Sequence, residues 1–285
     1  MKESIAILMT VHNRKEITVR CLNLIKKIVD RISDFEFDYY ITNDGCSDGT
    51  KEIINERFPE FNIIEGDGNL FWCGGMRLAW KKASETKQYD FYLWVNDDII
   101  LYEHSLLEII TLSKVLNDVA LICGAFKDQT GKFTYGGRDM KRNAIIPNGM
   151  IQDVYFTNGN LLLIPKSVFN VLGNIPSFYI HDMGDLDYGL RAIKNNIKVV
   201  SSLSYLGECE INPKTFYGKG RKMGTSLFNR LKYLYSRKGV NPNIVFRFNL
   251  SHFGIKKAVH DYIGALYYIS LPDKYIIKKY EQKKH

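Results

Sequence analysis

Tyr92-Leu93-Trp94-Val95-Asn96-Asp97-Asp98-Ile99 is an apolar run that ends abruptly in an amide and two carboxylates. Its aromatic and β-branched residues predict a buried strand, and ligands of open α/β sheets gather at the carboxyl ends of strands. Two adjacent carboxylates repel each other unless a cation lies between them, and a divalent metal with oxygen ligands is the usual cation. The alternative is a helix cap, because Asp and Asn are favoured caps and a helical pattern follows from His104.

Strand and helix patterns alternate on both sides of this run. Strands are expected at residues 4–10, 37–41, 61–65, 120–126, 161–164 and 197–201, and helices at 16–30, 49–58, 75–86, 104–115, 165–171 and 186–195. Such alternation predicts an α/β fold with a mixed, mostly parallel sheet and helices on both faces. After Lys127, glycines and Asn-Gly pairs punctuate short apolar segments, so hairpins are expected to extend the sheet.

The composition excludes several classes of protein. No apolar stretch reaches the about 18 residues that indicate a transmembrane helix, and the run Ile5–Leu8 is too short for a signal peptide. The five cysteines are scattered without metal-type spacing. This pattern fits buried thiols in a reducing cytoplasm better than a disulfide framework or a zinc site. A cytoplasmic globular protein is therefore expected.

Positive charge is concentrated at the end of the chain. Between Asn212 and His285, 16 Lys and Arg residues stand against three acidic residues, whereas residues 1–211 carry 23 against 28. Two helical stripes run through this tail, one over 227–235 with basic residues up to Lys238 beside it, and one over 255–270. A boundary is therefore expected near Asn212-Pro213, between an α/β domain (1–211) and a basic helical extension (212–285).

The basic helices of the extension suit the surface of an anionic membrane, because their apolar stripes are flanked by Lys and Arg. The alternative is that a stripe packs on the first domain or on a second copy of the chain in a homodimer. Nucleic acid is not expected as a partner, because no recognised nucleic-acid-binding motif accompanies the charge.

Four loops after predicted strands carry polar residues and glycines at what is expected to be one edge of the sheet. They span residues 10–14, 43–50, 66–77 and 96–98. Asp44 stands at a strand end, upstream of Asp48, which is a favoured cap for the next helix. Trp72 and the paired glycines beside it would let a ligand approach the backbone, although a packed Trp in a glycine-rich turn explains Trp72 alone better.

Together these segments resemble the family-2 glycosyltransferases with the GT-A fold. The matching motifs, in order, are Thr10-x-x-Asn13-Arg14, Asn43-Asp44-Gly45-Cys46-Ser47-Asp48-Gly49-Thr50, Gly66-Asp67-Gly68-Asn69-Leu70-Phe71-Trp72 with Gly74-Gly75-Met76-Arg77, Asn96-Asp97-Asp98 in the place of the DxD motif, Thr157-Asn158-Gly159-Asn160, and Gly184-Asp185-Leu186-Asp187-Tyr188-Gly189-Leu190-Arg191. The resemblance spans residues 5–201. Two departures from the family pattern are Gly184 where Glu is common and Asn96 where the metal motif has Asp.

The resemblance implies roles at the matching positions. Residues 1–126 would form the nucleotide-binding half and 127–211 the acceptor half of the catalytic domain. The nucleotide sugar would be bound by Thr10, His12, Asn13, Arg14, Asp44 (on the base), Asp67, Asn69, Trp72, Gly75, Arg77, Asn96 and Asp97. The acceptor side would comprise Asn158, Gly159, Asn160 and Arg191, unless Arg191 forms a salt bridge with a nearby carboxylate. Mn²⁺ or Mg²⁺ would be held by Asp98 and Asp97, with His181, Glu208 and Glu210 as further candidates, and Asp185 would be the general base, with Asp187 as its alternate.

These roles imply an inverting, metal-dependent transferase. It would move a sugar from a UDP- or dTDP-sugar to a hydroxyl of a growing bacterial surface glycan, on a polyprenyl-diphosphate carrier at the inner face of the cell membrane. Trp72 and the segment 184–188 resemble the branch with rhamnosyl- and hexosyltransferases. Two alternatives are a catalytically silent nucleotide- or membrane-binding scaffold and a sugar-phosphate nucleotidyltransferase. The second would need a basic, glycine-rich phosphate loop, which residues 10–16 do not supply.

Overall fold

The computed structural model describes residues 2–211, 223–237 and 239–276. The predicted boundary at Asn212-Pro213 and the tail residue Lys238 lie outside these residues. The chain divides into two compact units, the first comprising Met1–Ile180 with Gly184–Ile211 and the second His181–Met183 with Asn212–His285. The first unit contains the sheet, and the described part of the 212–285 segment is mainly helical.

One mixed sheet forms the centre of the first unit. Its strands are β1 (Glu3–Val11), β2 (Phe35–Asn43), β3 (Asn62–Glu65), β4 (Phe91–Val95), β5 (Ile100–Leu101), β6 (Ala120–Lys127), β7 (Leu161–Pro165) and β8 (Lys198–Glu208). Their order across the sheet is β3-β2-β1-β4-β7-β6-β8-β5. β1 pairs in parallel with β2 and β4, whereas β7 is antiparallel to both of its neighbours. The predicted mixed, mostly parallel sheet is confirmed, and all five residues of β4 are buried, as a continuously apolar central strand requires.

The helices of the first unit follow the predicted order. They are α1 (Lys15–Val29), α2 (Thr50–Arg57), α3 (Phe71–Thr86), α4 (Ser105–Val115), α5 (Lys166–Leu172) and α6 (Gly184–Lys194). The prediction that α3 starts at Gly75 was wrong, because the helix already begins at Phe71. Gly75 therefore lies inside the helix and not in a turn. At this point α3 lies so close to β1 that a Cβ on Gly75 would be 2.4 Å from Thr10 Cγ2.

The segment between β6 and β7 differs from its prediction. In place of the expected hairpin strands, its described backbone forms isolated bridges, such as Lys127 with Phe133 and Arg138 with Ala144. Gly131 and Gly149 have positive φ angles, as expected of glycines in turns. The segments between the turns are too short and irregular to form further hydrogen-bonded strands of the sheet. β8 is longer than its predicted span of 197–201, because it continues along β6 through register shifts to Glu208.

The described helices of the second unit are α7 (Leu227–Leu234), α8 (Pro242–Phe253) and α9 (Ile255–Ser270). The sequence pattern predicted helices at α7 and α9 but missed α8. Its start signal is nevertheless present, because the Asn241 side chain accepts a hydrogen bond from the Asn243 amide and Pro242 occupies the first helical turn. Of the described helices, none has the length and apolar character needed to cross a bilayer.

The sheet brings the predicted loops to one edge. Val11 pairs with Asn43 at the ends of β1 and β2, and Val95 at the end of β4 pairs with Leu161 at the start of the antiparallel β7. The carboxyl ends of three parallel strands and the amino end of β7 therefore meet. The segments that begin or end there are 12–14, 44–49, 96–99 and 157–160.

Candidate active site

A guanidinium lies between the two carboxylates at the end of β4. Arg14, in the loop between β1 and α1, donates from Nη1 to Asp98 Oδ2 at 2.8 Å and from Nη2 to Asp97 Oδ1. The second oxygen of Asp97 accepts from Thr18 Oγ1 at 2.8 Å. The cation that the sequence analysis expected between Asp97 and Asp98 is therefore supplied by the chain itself.

Burial and charge act in opposite directions on this cluster. The Asp97 side chain is 1% exposed, and burial raises its pKa to about 6 although Arg14 and Thr18 stabilise the charged form. Burial also disfavours the charge on Arg14, but the two carboxylates outweigh it and raise the pKa of the guanidinium. Asp97 is thus an internal anchor for Arg14, and its enclosed oxygens argue against the predicted roles as metal ligand and nucleotide contact.

Asp98 is the carboxylate that remains suited to a metal ion. Its side chain is 20% exposed, and its buried Oδ1 meets no hydrogen-bond donor in the part of the chain that the structure describes. Mg²⁺ is usually bound through one or two carboxylates together with substrate phosphates. The orphaned carboxylate oxygen of Asp98 therefore fits a divalent ion, which Asp98 would hold when the ion is bound.

The further predicted metal ligands have partners near them in the sequence or the sheet. Across the described residues, no three His, Cys, Asp or Glu side chains gather into a metal-binding group. His181 belongs to the second unit, and its Nε2 lies 3.9 Å from Asp182 Oδ1. Glu208 accepts from the Tyr102 hydroxyl at 3.0 Å, and Glu210 accepts from the backbone amide of Gln129.

Asn96 connects three parts of the site. Its Oδ1 accepts from Trp72 Nε1 at 2.7 Å, and its Nδ2 donates to Asn160 Oδ1 at 2.8 Å. The Trp72 ring lies against Gly159, where a Cβ would be 2.4 Å from the ring. Trp72 is packed in the glycine-rich first turn of α3, and the side chains of Asn96 and Asn160 are hydrogen-bonded within the protein.

Asp44 caps α3. This buried carboxylate accepts from the backbone amides of Leu70 at 3.1 Å and Phe71 at 2.9 Å, which are the first donors of the helix. Gly66 approaches so closely that a Cβ there would be 2.8 Å from Asp44 Oδ1. This enclosure argues against the implied contact between Asp44 and a nucleotide base.

The exposed rim of the edge contains four of the predicted nucleotide residues. His12 Nδ1 lies 2.6 Å from the Asp44 carbonyl, and Asn13 Oδ1 accepts from the Ser47 amide at 2.8 Å, so the first two loops are held together. Asp67 accepts from the Asn69 amide at 2.8 Å in the third loop. All four residues, His12, Asn13, Asp67 and Asn69, are exposed.

Three other predicted nucleotide contacts are engaged within the protein. Thr10 and Gly75 face each other at the close approach of β1 and α3, and Thr10 Oγ1 is buried. Arg77 donates to the carbonyls of Tyr179 at 3.0 Å and Pro176 at 3.3 Å, and burial lowers the pKa of its guanidinium. Arg77 therefore fixes the loop before α6, and the predicted ligand contacts of Gly75 and Arg77 are not supported.

Asp185 stands at the start of α6, next to the turn that precedes β7. Its Oδ2 accepts from the Gly159 amide at 3.1 Å and its Oδ1 from the Leu186 amide at 2.9 Å. The side chain is half-buried. A Cβ on Gly184 would be 2.7 Å from Cys73 Sγ, so a larger residue at this position would require Cys73 to shift. Asp185 is thus oriented by two backbone donors.

Asp187 and Arg191 form a structural pair. Arg191 donates from Nε to Asp187 Oδ2 at 2.7 Å and from Nη1 to the Leu172 carbonyl at 2.6 Å. The buried Asp187 also accepts from the Tyr179 hydroxyl at 3.0 Å. The geometry therefore argues against Asp187 as alternate base and against Arg191 as an acceptor-side residue, and it favours the salt bridge that the sequence analysis left open.

Two residues at the site have roles that the sequence analysis did not assign. Thr18 secures Asp97 from the first turns of α1, and its signal was a hydroxyl on the apolar face of a predicted helix. Cys209, after β8, accepts from Asn160 Nδ2 at 3.3 Å, and burial raises its pKa to about 12.

The predicted acceptor-side residue Asn158 accepts from the Asn160 amide at 3.0 Å and is half-buried, at the surface of the turn that precedes β7.

Comparison with known proteins identifies the family. The sequence model of glycosyl transferase family 2 matches residues 6–173. The solved structure of mannosyltransferase PcManGT from Pyrobaculum calidifontis with GDP-Man and Mn²⁺ is similar at a TM-score of 0.57 and 11% identity, covering 95% of this chain and 74% of that one. Two structures of TarS from S. aureus are similar at a TM-score of 0.52 and 16% identity, and each match covers 76% of this chain. The match covers 38% of the first TarS structure and 62% of the second, which is residues 1–349 in complex with UDP. No curated protein sequence matches the chain.

At these identities the solved structures establish the fold alone, and they confirm the predicted GT-A architecture. The family match is independent of them, because it rests on sequence and covers more than half of the chain. It begins in β1 and ends beyond α5, so it includes both the Arg14 loop and the carboxylates after β4. The chain therefore belongs to glycosyl transferase family 2 and is a glycosyltransferase.

Proposed function

We propose that the chain is an inverting, metal-dependent glycosyltransferase that moves a sugar from a UDP- or dTDP-sugar to a glycan hydroxyl. The observation that carries this proposal is the placement of two carboxylates at one sheet edge. Asp98 has an oxygen without a donor among the described residues, and Asp185 is held by the Gly159 amide. A chain of contacts joins them: the Trp72 ring lies against Gly159 and donates a hydrogen bond to Asn96, two residues before Asp98.

The exposed rim supports a nucleotide site next to Asp98. His12, Asn13, Asp67 and Asn69 offer hydrogen-bonding side chains around the ends of β1 and β3. The solved relatives hold GDP-Man and UDP, so a nucleoside diphosphate is the group that they share. A bound Mn²⁺ or Mg²⁺ would be held by Asp98 and would supply positive charge to the departing diphosphate.

Asp185 is the residue that we assign to proton transfer. In the proposed step, the acceptor oxygen attacks the anomeric carbon while Asp185 takes the hydroxyl proton. The bond from the anomeric carbon to the β-phosphate oxygen breaks, and its electron pair leaves with the nucleoside diphosphate. A single displacement from the opposite face inverts the anomeric configuration. The Gly159 and Leu186 amides would keep the carboxylate oriented for this transfer.

Transfer assays on Asp185→Asn test the proposal. The donor is first identified by a thermal-shift screen of UDP-, dTDP- and GDP-sugars with and without Mn²⁺, since binding to the folded state raises the melting temperature. Asp185→Asn keeps the size of the side chain but removes the base, so kcat should fall by about 100- to 10,000-fold. The affinity for the nucleotide should not change, and EDTA should abolish transfer by the wild type.

Asp153→Asn is the matched control, because Asp153 is an exposed surface carboxylate with an ion pair to Lys198 at 3.8 Å. Its transfer rate should equal that of the wild type. Full activity of Asp185→Asn would refute the base assignment, and full activity in EDTA would refute metal dependence. A wild-type chain that binds a nucleotide sugar in the screen but transfers no sugar would support the silent scaffold instead.

The second unit supports a location at the inner face of the bacterial membrane, where lipid-linked acceptors for capsule, O-antigen or cell-wall polysaccharide would be extended. One side of α9 presents apolar residues at intervals of four, each at least 42% exposed: Ile255, Val259, Ile263 and Tyr267, here called the α9 stripe. Lys256 and Lys257 lie beside it. A basic helix with an exposed apolar stripe is typical of interfacial binding. A homodimer contact through the same stripe is the competing proposal.

A further inference from the structure

We infer that Arg14 is a positioning residue, which joins the two carboxylates after β4 and directs the second oxygen of Asp98 toward the metal and diphosphate of the donor. The inference rests on the proposed function, because it concerns how that site is assembled. It differs from the expectation that Arg14 lines the nucleotide pocket.

Asp97 fixes Arg14 in place. The carboxylate of Asp97 is held on one side by Thr18 in α1 and on the other by Arg14 Nη2, and it is almost completely enclosed. The guanidinium is planar, so fixing Nη2 also fixes the direction in which Nη1 donates. The position of Arg14 is therefore determined by the protein before any ligand binds.

Arg14 in turn orients Asp98. Arg14 Nη1 donates a hydrogen bond to Asp98 Oδ2 at 2.8 Å. The other oxygen, Oδ1, accepts from no donor among the described residues. A carboxylate with one oxygen fixed cannot rotate freely, so the other oxygen keeps a constant direction. Hydrogen-bonded partners of this kind orient metal ligands, and their loss typically weakens metal binding by about 10- to 100-fold.

The charges of the cluster agree with this role. Arg14 carries one positive charge against the two carboxylates, so the cluster keeps an excess of negative charge at the unpartnered Oδ1 of Asp98. If Arg14 turned to a phosphate instead, Asp97 would remain buried without its ion partner. Breaking a buried ion pair in this way is strongly unfavourable. The geometry thus favours a fixed Arg14 over one that moves to the donor.

Arg14→Lys and Arg14→Gln distinguish an arginine that positions Asp98 from an arginine that contacts the nucleotide. Lysine keeps the charge but offers a single nitrogen, which cannot reproduce the planar fork between two carboxylates. We expect both variants to weaken Mn²⁺ binding in the presence of saturating UDP by about 10-fold or more, measured by electron paramagnetic resonance of free Mn²⁺. Binding of UDP alone in EDTA, measured by calorimetry, should stay within twofold of the wild type.

Arg20→Gln is the matched control, because Arg20 is an exposed arginine on the same helix, and it should change neither affinity. Weaker UDP binding in EDTA by the Arg14 variants would overturn the inference, since Arg14 would then contact the nucleotide. Unchanged Mn²⁺ binding would overturn it as well. Absence of Mn²⁺ binding by the wild type with UDP, dTDP and GDP would instead refute the metal-dependent function.

A folding defect can be distinguished from a positioning defect. Arg14→Gln with Asp97→Asn removes the buried carboxylate together with its cation, so the double variant should recover the melting temperature that Arg14→Gln loses. Its Mn²⁺ affinity in the presence of UDP should remain reduced, because Asp98 is still without its partner. Recovery of both quantities would assign Arg14 to stability alone and overturn the inference.

Discussion

Asn96 needs both a donor and an acceptor in its side chain, because it donates to Asn160 and accepts from Trp72. An aspartate would keep the acceptor, lose the donor and place a further negative charge next to Asp97. Asn96→Asp should therefore lower the free energy of unfolding by about 1–3 kcal/mol, as expected for a half-buried polar group left without its partner. Urea denaturation followed by circular dichroism measures the change.

Asn148→Asp is the control for this substitution. Asn148 is exposed, and its Oδ1 accepts from the Met150 amide at 3.0 Å, a role that a carboxylate retains. The control should change the free energy of unfolding by no more than about 0.5 kcal/mol. If Asn96→Asp were no more destabilising than Asn148→Asp, the connecting role of Asn96 would be wrong.

At the scale of single residues, the sequence located the site better than it assigned partners. Strand ends placed Asp98 and the loops at 10–14 and 43–50 at one edge because parallel strands end together, whereas Asp185 was assigned from the family resemblance alone. The ion pair between Arg14 and Asp97 joins residues far apart in the chain, so no local pattern announces it. An aspartate in a motif can bind a ligand or cap a helix, and only the packing around Asp44 distinguishes these roles.

At the scale of elements, the contact between α3 and β1 has a measurable consequence. Alanine is favoured over glycine inside helices by about 1 kcal/mol, but a Cβ on Gly75 would be 2.4 Å from Thr10 Cγ2. Overpacking typically costs about 1–3 kcal/mol, so Gly75→Ala should lower the free energy of unfolding. Thr10→Ala in the same chain should restore part of the loss, because it removes the contacting atoms.

Gly264→Ala in α9 is the matched control. A Cβ there would meet no atom of the described residues within 4 Å, so the gain in helix propensity should raise the free energy of unfolding by up to about 1 kcal/mol. Thermal and urea denaturation of the full chain measure both substitutions. Equal effects of Gly75→Ala and Gly264→Ala would contradict the close packing of α3 on β1.

The elements differ in how far local sequence patterns could predict them. Long apolar runs and helical periodicity were sufficient for β1, β4 and α1, where burial follows the local pattern. The start of α3 was not predicted, because the glycines that allow close packing are the residues that usually mark a turn. The helix α8 was not predicted from apolar periodicity, although Asn241-Pro242 is a typical helix start.

At the scale of the whole molecule, the fold class was predictable because it depends on the order of many elements. An error in one boundary leaves the alternation of strands and helices intact. The contrast in charge between residues 1–211 and 212–285 was equally visible in the composition. What the basic segment binds is a separate question, because charge specifies the sign of a partner and not its class.

Vesicle binding by the full chain tests the α9 stripe. Burying an Ile side chain contributes about 1.5–3 kcal/mol, so Ile263→Glu should reduce co-sedimentation with anionic phosphatidylglycerol vesicles by about 10-fold or more. Val115→Glu, at an exposed apolar residue of α4, should bind like the wild type. Binding by the wild type should weaken as salt rises from 0.1 to 0.5 M, because the electrostatic part is screened. If Ile263→Glu instead dissociates a dimer in size-exclusion chromatography while vesicle binding is unchanged, the stripe is a contact between two copies of the chain and the membrane proposal is wrong.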